Sequence, residues 1–547
     1  MDNYTDGMTL EQQIGQLLMV GFWGTSPSQE IINLIQRYQV GNIILFSRNV
    51  RDARQVLELT QSLQMIAKEA GHHYPLLIAI DQENGIVQRL GEAATIFPGN
   101  MALGAIGSEE ITYEVALATG RELKALGLNM NLAPVVDVNN NPANPVIGVR
   151  SFGEDPHQVA RLGSAMVKGY HKAGMLSCLK HFPGHGDTAV DSHLALPIIP
   201  YAFQRLEALE LVPFRIGIEA GAESVMIAHV SFPALTQNDM LPATLSHAIV
   251  QGLLREKLGF SGVILSDCME MNAISETFGT QSAVVKALRA GIDLVLVSHH
   301  YTQQRGSIEA IQEAVQTREL PPQAVQQAAE RVLRLKARAI SWNDILSSTS
   351  LPAHIQCEDH AQLQNQAYEL STTLVRNEDS LLPLCLNPGE RIVILSPERN
   401  TMTMVEDRYY SDDTLAAIIE QYYTNTSILP VPSQGTRKGH SFYDTLLQKT
   451  GASDIFIVAT VNAHLDERQA EFVRYLISSG RRIIGIAVRN PYDLLAFPQL
   501  RTYLVTYEYT RQALVAAVRV LFGERQARGH LPVSIPGLYA RVPTMDG

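Results

Sequence analysis

The chain reads as an α/β protein: a (β/α)8 TIM-like barrel over residues 1–342, a linker over 343–370 and a smaller α/β sandwich domain over 371–547. Three observations carry this. Short, nearly all-apolar runs alternate with amphipathic segments, the pattern of a parallel sheet covered on both faces. Seven or eight such units fall between about residues 9 and 339, which fits a closed barrel better than an open sheet. Finally, the apolar runs end on polar residues, namely Arg48, Asp81, Asp137, Lys180, His229, Asp267 and Ser298. In a barrel those ends converge on the C-terminal face of the strands, where such folds place their chemistry.

In order, strands are expected at 41–46, 76–80, 129–134, 176–180, 224–228, 262–266 and 292–297, with helices at 53–70, 109–125, 156–173, 282–290 and 309–339. The stretch after 342 carries Ser and Pro without a clear period. A second alternating block then gives strands at 391–396, 454–459, 483–488 and 502–507 and helices at 466–479 and 511–521. An open α/β sandwich is its simplest fold.

At 547 residues the chain exceeds what one core normally holds. With 46% hydrophobic and 18% charged residues it has ample apolar surface to bury. The net charge of −12, unbroken by any Lys/Arg run, argues against nucleic acid or an anionic membrane as partner. Cys178, Cys268, Cys357 and Cys385 are far apart and form no CxxC pair, so a reducing compartment is expected rather than a disulfide framework. The N-terminus lacks the pattern of a signal peptide, and no apolar run approaches the roughly 20 residues that span a bilayer. A cytoplasmic monomer without a cofactor is the expectation; neither block carries a Gly-rich nucleotide fingerprint.

Residues 180–197 crowd three histidines, two aspartates and Lys180 into a loop punctuated by Gly184 and Gly186. Packing gives no reason for that, whereas catalysis or metal binding does. His181, His185, Asp187 and His193 offer zinc-type ligands, but their spacings set no two on one helical face, and Lys180 would repel a cation; no metal is expected. Acid–base work suits the loop better. In an extended Asp191-Ser192-His193 both end side chains point one way, so the carboxylate would orient the imidazole, and a histidine serves as acid and then as base near neutral pH. Asp267, straight after an apolar strand, reads either as a nucleophile or as a helix N-cap.

Lys-His-Phe-Pro-Gly-His-Gly-Asp-Thr followed by Asp-Ser-His resembles the signature of glycoside hydrolase family 3, in its bacterial β-N-acetylglucosaminidase branch. Ile-Asp-Gln-Glu-Asn-Gly-Ile-Val-Gln-Arg-Leu (80–90), Asn-Leu-Ala-Pro-Val-Val-Asp-Val (131–138), Val-Arg-Ser-Phe-Gly (149–153) and Leu-Ser-Asp-Cys-Met-Glu-Met (265–271) match in order and spacing. The resemblance covers about residues 9–340 and extends through 379–384 and 531–537. It implies a retaining exo-β-N-acetylglucosaminidase that forms a covalent glycosyl-Asp267, with His193 as acid/base and Asp191 as its dyad partner. It further implies that Asp81, Arg89, Arg150, Lys180 and His181 grip the sugar, and that the natural substrates are cell-wall muropeptide fragments. Asn84 departs from the family's usual glycine; since Asn tolerates φ > 0 better than most residues, the turn is expected to survive, with the side chain narrowing the site.

Alternatives are a β-N-acetylglucosaminide phosphorylase, since a histidine acid/base tolerates an anionic acceptor better than a carboxylate does, another family 3 β-glycosidase, or a binding protein that lost catalysis. A substrate-assisted route would want an Asp–Glu pair at a strand end, and none is read in the barrel block. The second domain is expected to be structural or to shape the outer cleft, although it contains Asp407, Asp412, Asp466 and Glu467. Gly184 and Gly186 are expected to let the loop carry the dyad over Asp267.

Overall fold

The computed structural model describes residues 4–236, 240–346, 353–397, 406–407, 414–431, 440–452 and 454–542. Eight parallel strands form the first sheet: β1 (Leu18–Val20), β2 (Asn42–Leu45), β3 (Leu77–Ile80), β4 (Met130–Asn131), β5 (Cys178–Phe182), β6 (Ser224–Ile227), β7 (Val263–Cys268) and β8 (Leu294–Val297). They run in the order β4-β3-β2-β1-β8-β7-β6-β5. Parallel bridges Met130–Leu176 and Val135–Lys180 bring β4 and β5 together and complete the ring. The predicted (β/α)8 barrel is thus the observed one.

Its interior is side chain, not channel. Met19, Ile44, Leu77, Met130, Met226, Leu265 and Leu296 form a buried cluster inside the ring, as expected for a barrel of this size. β4 is only two residues long because Pro134 has no N–H to extend the ladder. Asparagine side chains take over: Asn129 Nδ2 donates to Leu76 O and Asn131 Nδ2 to Gln82 O, at 2.9 and 3.0 Å. Outside, helices close on ordinary signals. Asp155 caps Pro156–Ala173, which has Pro at its first position and ends at left-handed Gly174.

Several local expectations need correction. The three-residue β1 is absent from the predicted strands. The single helix at 309–339 is two, Tyr301–Gln316 and Pro322–Ala339, broken where Arg318 takes φ +66° ahead of Pro321. Strand β5 continues to Phe182, two residues past its predicted end, so His181 lies within it as well as Lys180. Within 343–370, Glu358–Ser371 is a helix, and His360 Nδ1 bonds Glu122 Oε1 at 2.6 Å on the barrel.

The second sheet has six strands, β9 (Thr373–Asn377), β10 (Ile392–Pro397), β11 (Thr426–Val431), β12 (Ile455–Thr460), β13 (Arg482–Ala487) and β14 (Thr502–Val505). Their order is β9-β14-β13-β12-β10-β11, with β9 antiparallel to β14 and the other pairs parallel. The predicted strands missed β9 and β11. One core of this domain includes Met101, Ala102, Ala105 and Val149 from the barrel side, packed with Tyr492, Tyr503 and Tyr507. No helix among the described residues is long and apolar enough to cross a membrane.

Candidate active site

A cavity of about 320 Å³ opens at the C-terminal ends of the barrel strands. Seven of the eight sequence-predicted residues line it: Asp81, Arg89, Arg150, Lys180, His181, His193 and Asp267. The eighth, Asp191, is bonded to His193.

The floor charge is Asp267, near the end of β7. Burial alone would raise its carboxyl, but His229, His181, His193 and the Cys268 N–H, which donates to Oδ1 at 2.7 Å, hold it down at about 2. It caps no helix: the following helix starts at Asn272, with Met271 in the cap position. An ionised carboxylate at neutral pH, sharing a cavity with an imidazole, has what a nucleophile–acid pair requires.

The dyad forms by a different route from the expected one. Residues 192–194 make a turn, with Leu194 N donating to Asp191 O at 2.9 Å. Asp191 Oδ1 accepts from both His193 N (2.9 Å) and Nδ1 (2.8 Å), an aspartate bonding the backbone two residues on. This fixes the ring, with Nδ1 engaged and Nε2 left for a substrate. The carboxyl of Asp191 lies below its ordinary range because hydrogen bonds and charge from His193 outweigh burial.

One wall is a chain of opposite charges. Arg150 holds Glu83 through Nε and Nη2, both at 2.8 Å. Lys180 Nζ bonds Glu83 Oε1 at 2.6 Å and Asp81 Oδ1 at 2.7 Å. Arg89 lies 3.9 Å from Asp81 and 2.7 Å from Asp407 of the second domain. Burial works against charge on Glu83 and Lys180, yet the ion pairs prevail: Glu83 is pushed well below, and Lys180 above, its ordinary value. Behind the wall, buried Asp137 takes His181 Nδ1 at 2.8 Å and His185 N at 2.7 Å.

Sequence reasoning missed Glu83, whose signal was an acid two residues after Asp81 in a buried run. An Asp–Glu pair therefore does stand beyond β3, contrary to expectation, with both members committed to cations. It also missed Glu406 and Asp407 as cavity residues; Asp407 accepts from Gln88 N at 3.0 Å as well as from Arg89. Asp412 lies outside the described residues. Asn84 takes φ +69° as expected, and its Nδ2 donates to Thr119 Oγ1 at 3.2 Å. It does not line the cavity. Gly184 and Gly186 are close-packed: a Cβ would meet the Glu210 side chain at 2.8 Å and Val138 O at 1.8 Å respectively. The four zinc-type residues of the loop diverge, His181 to Asp137, His185 to Thr188 and Ser192, His193 to Asp191 and Asp187 to Arg205. Among the described residues no trio of His, Cys, Asp or Glu is arranged to hold a metal.

Residues 9–335 match the glycosyl hydrolase family 3 N-terminal domain. The chain belongs to glycosyl hydrolase family 3. It is 32% identical to beta-hexosaminidase A of Pseudoalteromonas piscicida, over 96% of this chain and 97% of that one. Its fold superposes on the family 3 β-N-acetylglucosaminidase of Paenibacillus sp. str. FPU-7 with a TM-score of 0.89 at 38% identity, covering 97% of this chain and 99% of that one. A fungal multi-domain family 3 β-N-acetylglucosaminidase gives a TM-score of 0.91 at 41% identity; the match covers 98% of this family 3 enzyme but 62% of that longer chain.

Proposed function

We propose that this family 3 enzyme is a retaining exo-β-N-acetylglucosaminidase. The observation that carries the reading is one cavity holding an ionised, half-buried Asp267 and a histidine oriented by a carboxylate. The Asp267 carboxylate attacks the anomeric carbon while His193 Nε2–H gives its proton to the departing oxygen, forming a glycosyl ester and a free alcohol. The neutral imidazole then takes a proton from water, whose oxygen displaces Asp267 and restores both groups. Two inversions retain configuration, as in two-carboxylate glycosidases, with histidine standing in for the acid/base carboxylate. Asp81, Arg89, Arg150, Lys180 and His181 hold the sugar hydroxyls and the N-acetyl group.

For the natural substrate we propose muropeptide fragments with a terminal N-acetylglucosamine, following the bacterial branch that the loop signature resembles. Four free cysteines support a reducing compartment such as the cytoplasm.

The test is a panel of aryl glycosides (glucoside, xyloside, arabinoside, N-acetylglucosaminide) with wild type and Asp267→Ala, in phosphate and non-phosphate buffers. Activity is expected on the N-acetylglucosaminide, lost in Asp267→Ala, with free sugar as product in both buffers. Undiminished activity of the variant overturns the nucleophile assignment, and sugar 1-phosphate appearing in phosphate makes the enzyme a phosphorylase.

A further inference from the structure

Among the large apolar side chains that the described residues leave exposed, Trp23 is the most exposed, at 65%, and is the one that lines the catalytic cavity. It lies beyond β1, next to Phe22, which is buried. A bare indole at a cavity mouth is an unfavourable use of a large apolar surface unless something covers it.

It is also held in place. The Arg48 guanidinium lies between two rings, 4.6 Å from the centre of Trp23 and 4.3 Å from that of Phe46. Three bonds fix the guanidinium: Nε to Phe22 O at 2.9 Å, Nη2 to Ser298 O at 2.8 Å, and Nη1 to His299 Nδ1 at 3.0 Å. Burial and the Arg48 charge keep His299 down at about 4, so its Nδ1 accepts at neutral pH. On either side of Trp23 the carbonyls of Phe22 and Gly24 both accept from Asn49 Nδ2, at 3.1 and 2.8 Å. Backbone and ring are thus pinned from separate directions. A rigid, exposed aromatic face in a binding cavity loses little entropy when a ligand covers it.

We propose that Trp23 is the platform of the leaving-group subsite, stacking on the C–H face of a pyranose ring in the aglycone, with Arg48 holding the indole flat against the cavity mouth. This rests on the N-acetylglucosaminidase reading. That reading assigns the charged wall of Asp81, Arg89, Arg150 and Lys180 to the cleaved sugar, whereas Trp23 and Arg48 belong to none of those ion pairs. The proposal makes the enzyme prefer a sugar aglycone over a small one, and it makes Trp23 a specificity-determining residue rather than a catalytic one.

Two substrates separate the possibilities: N,N′-diacetylchitobiose, whose leaving group is a sugar, and β-N-acetylglucosaminyl fluoride, whose leaving group is one atom. In Trp23→Ala the ratio of kcat/KM for the disaccharide to that for the fluoride should fall roughly tenfold, mainly through KM, and Trp23→Phe should recover most of it. A ratio that stays constant, whether both activities fall together or neither moves, overturns the proposal. The chain has only two tryptophans, so disaccharide binding to the inactive Asp267→Ala enzyme should also shift indole fluorescence, and Trp23→Phe in that background should abolish the shift; a shift that persists counts against the platform. A wild-type enzyme inert toward both substrates would instead sink the N-acetylglucosaminidase reading, and this proposal with it.

Discussion

Lys180 Nζ stands 2.6 Å from Glu83 and 2.7 Å from Asp81, so one buried cation joins two carboxylates at the cavity wall. Extended both ways, the relationship becomes an alternating series, Arg150, Glu83, Lys180, Asp81, Arg89 and Asp407. Three positive and three negative groups cancel, which is how so much charge survives burial. The last member comes from the second domain.

Asp407→Asn tests that last link. The amide cannot neutralise Arg89, whose remaining carboxylate, Asp81, lies 3.9 Å away. Removing one member of a buried pair typically costs about 2–5 kcal/mol at the site it organises. We expect a lowered thermal midpoint and, assayed well below it, a kcat/KM on an aryl N-acetylglucosaminide that falls at least tenfold. Unaltered kinetics would reduce the second domain to scaffolding.

The dyad makes a prediction about leaving groups. Protonation matters most when the departing oxygen is a poor leaving group, and general acid catalysis is worth roughly 10²–10⁴-fold. His193→Ala and Asp191→Asn should therefore lose far more on a disaccharide than on a glycosyl fluoride, and azide should restore turnover of His193→Ala as it forms the glycosyl azide. Equal losses on both substrates would place the acid elsewhere.

Glu508 gives a pH prediction. Its side chain is buried between domains, accepts from Gly99 N at 3.3 Å, and burial raises its carboxyl to about 8. A raised folded-state value means that the group's contribution is complete below its unfolded value of 4.5 and is lost as pH rises through about 8. Unfolding midpoints of the wild type should fall between pH 5 and pH 9, and Glu508→Gln should flatten that fall. Parallel curves for the two proteins would show that Glu508 does not titrate there.

The barrel and most of its site were legible because each informative residue follows an apolar run, and a strand end has one place to go in a closed parallel sheet. Asp267 and Lys180 could be read that way, whereas the Asp191–His193 pair was read from its two-residue spacing in a loop, and the turn that makes it was not. β1 could not, because Leu-Met-Val is too short for any periodicity to emerge from the flanking apolar residues. The break before Pro322–Ala339 was missed for a related reason: apolar spacing on both sides of Pro321 is helical. Gly186 misled, since loop glycines suggest freedom, whereas a Cβ at this position would come within 1.8 Å of Val138 O, so packing demands that the side chain be missing. Asp407 was beyond reach, as nothing in a sequence places a residue 318 positions away against Arg89.

Met101, Ala102, Ala105 and Val149 belong by sequence to the barrel and by packing to the neighbouring domain's core. Dissecting the chain near residue 342 would therefore leave an apolar scar on the barrel's flank, beside an Arg89 stripped of its close carboxylate. Such a fragment would be sticky before it was slow. For protein engineering the two lobes form one indivisible part, and a minimal catalyst cut from this chain would need that scar repainted with polar residues first.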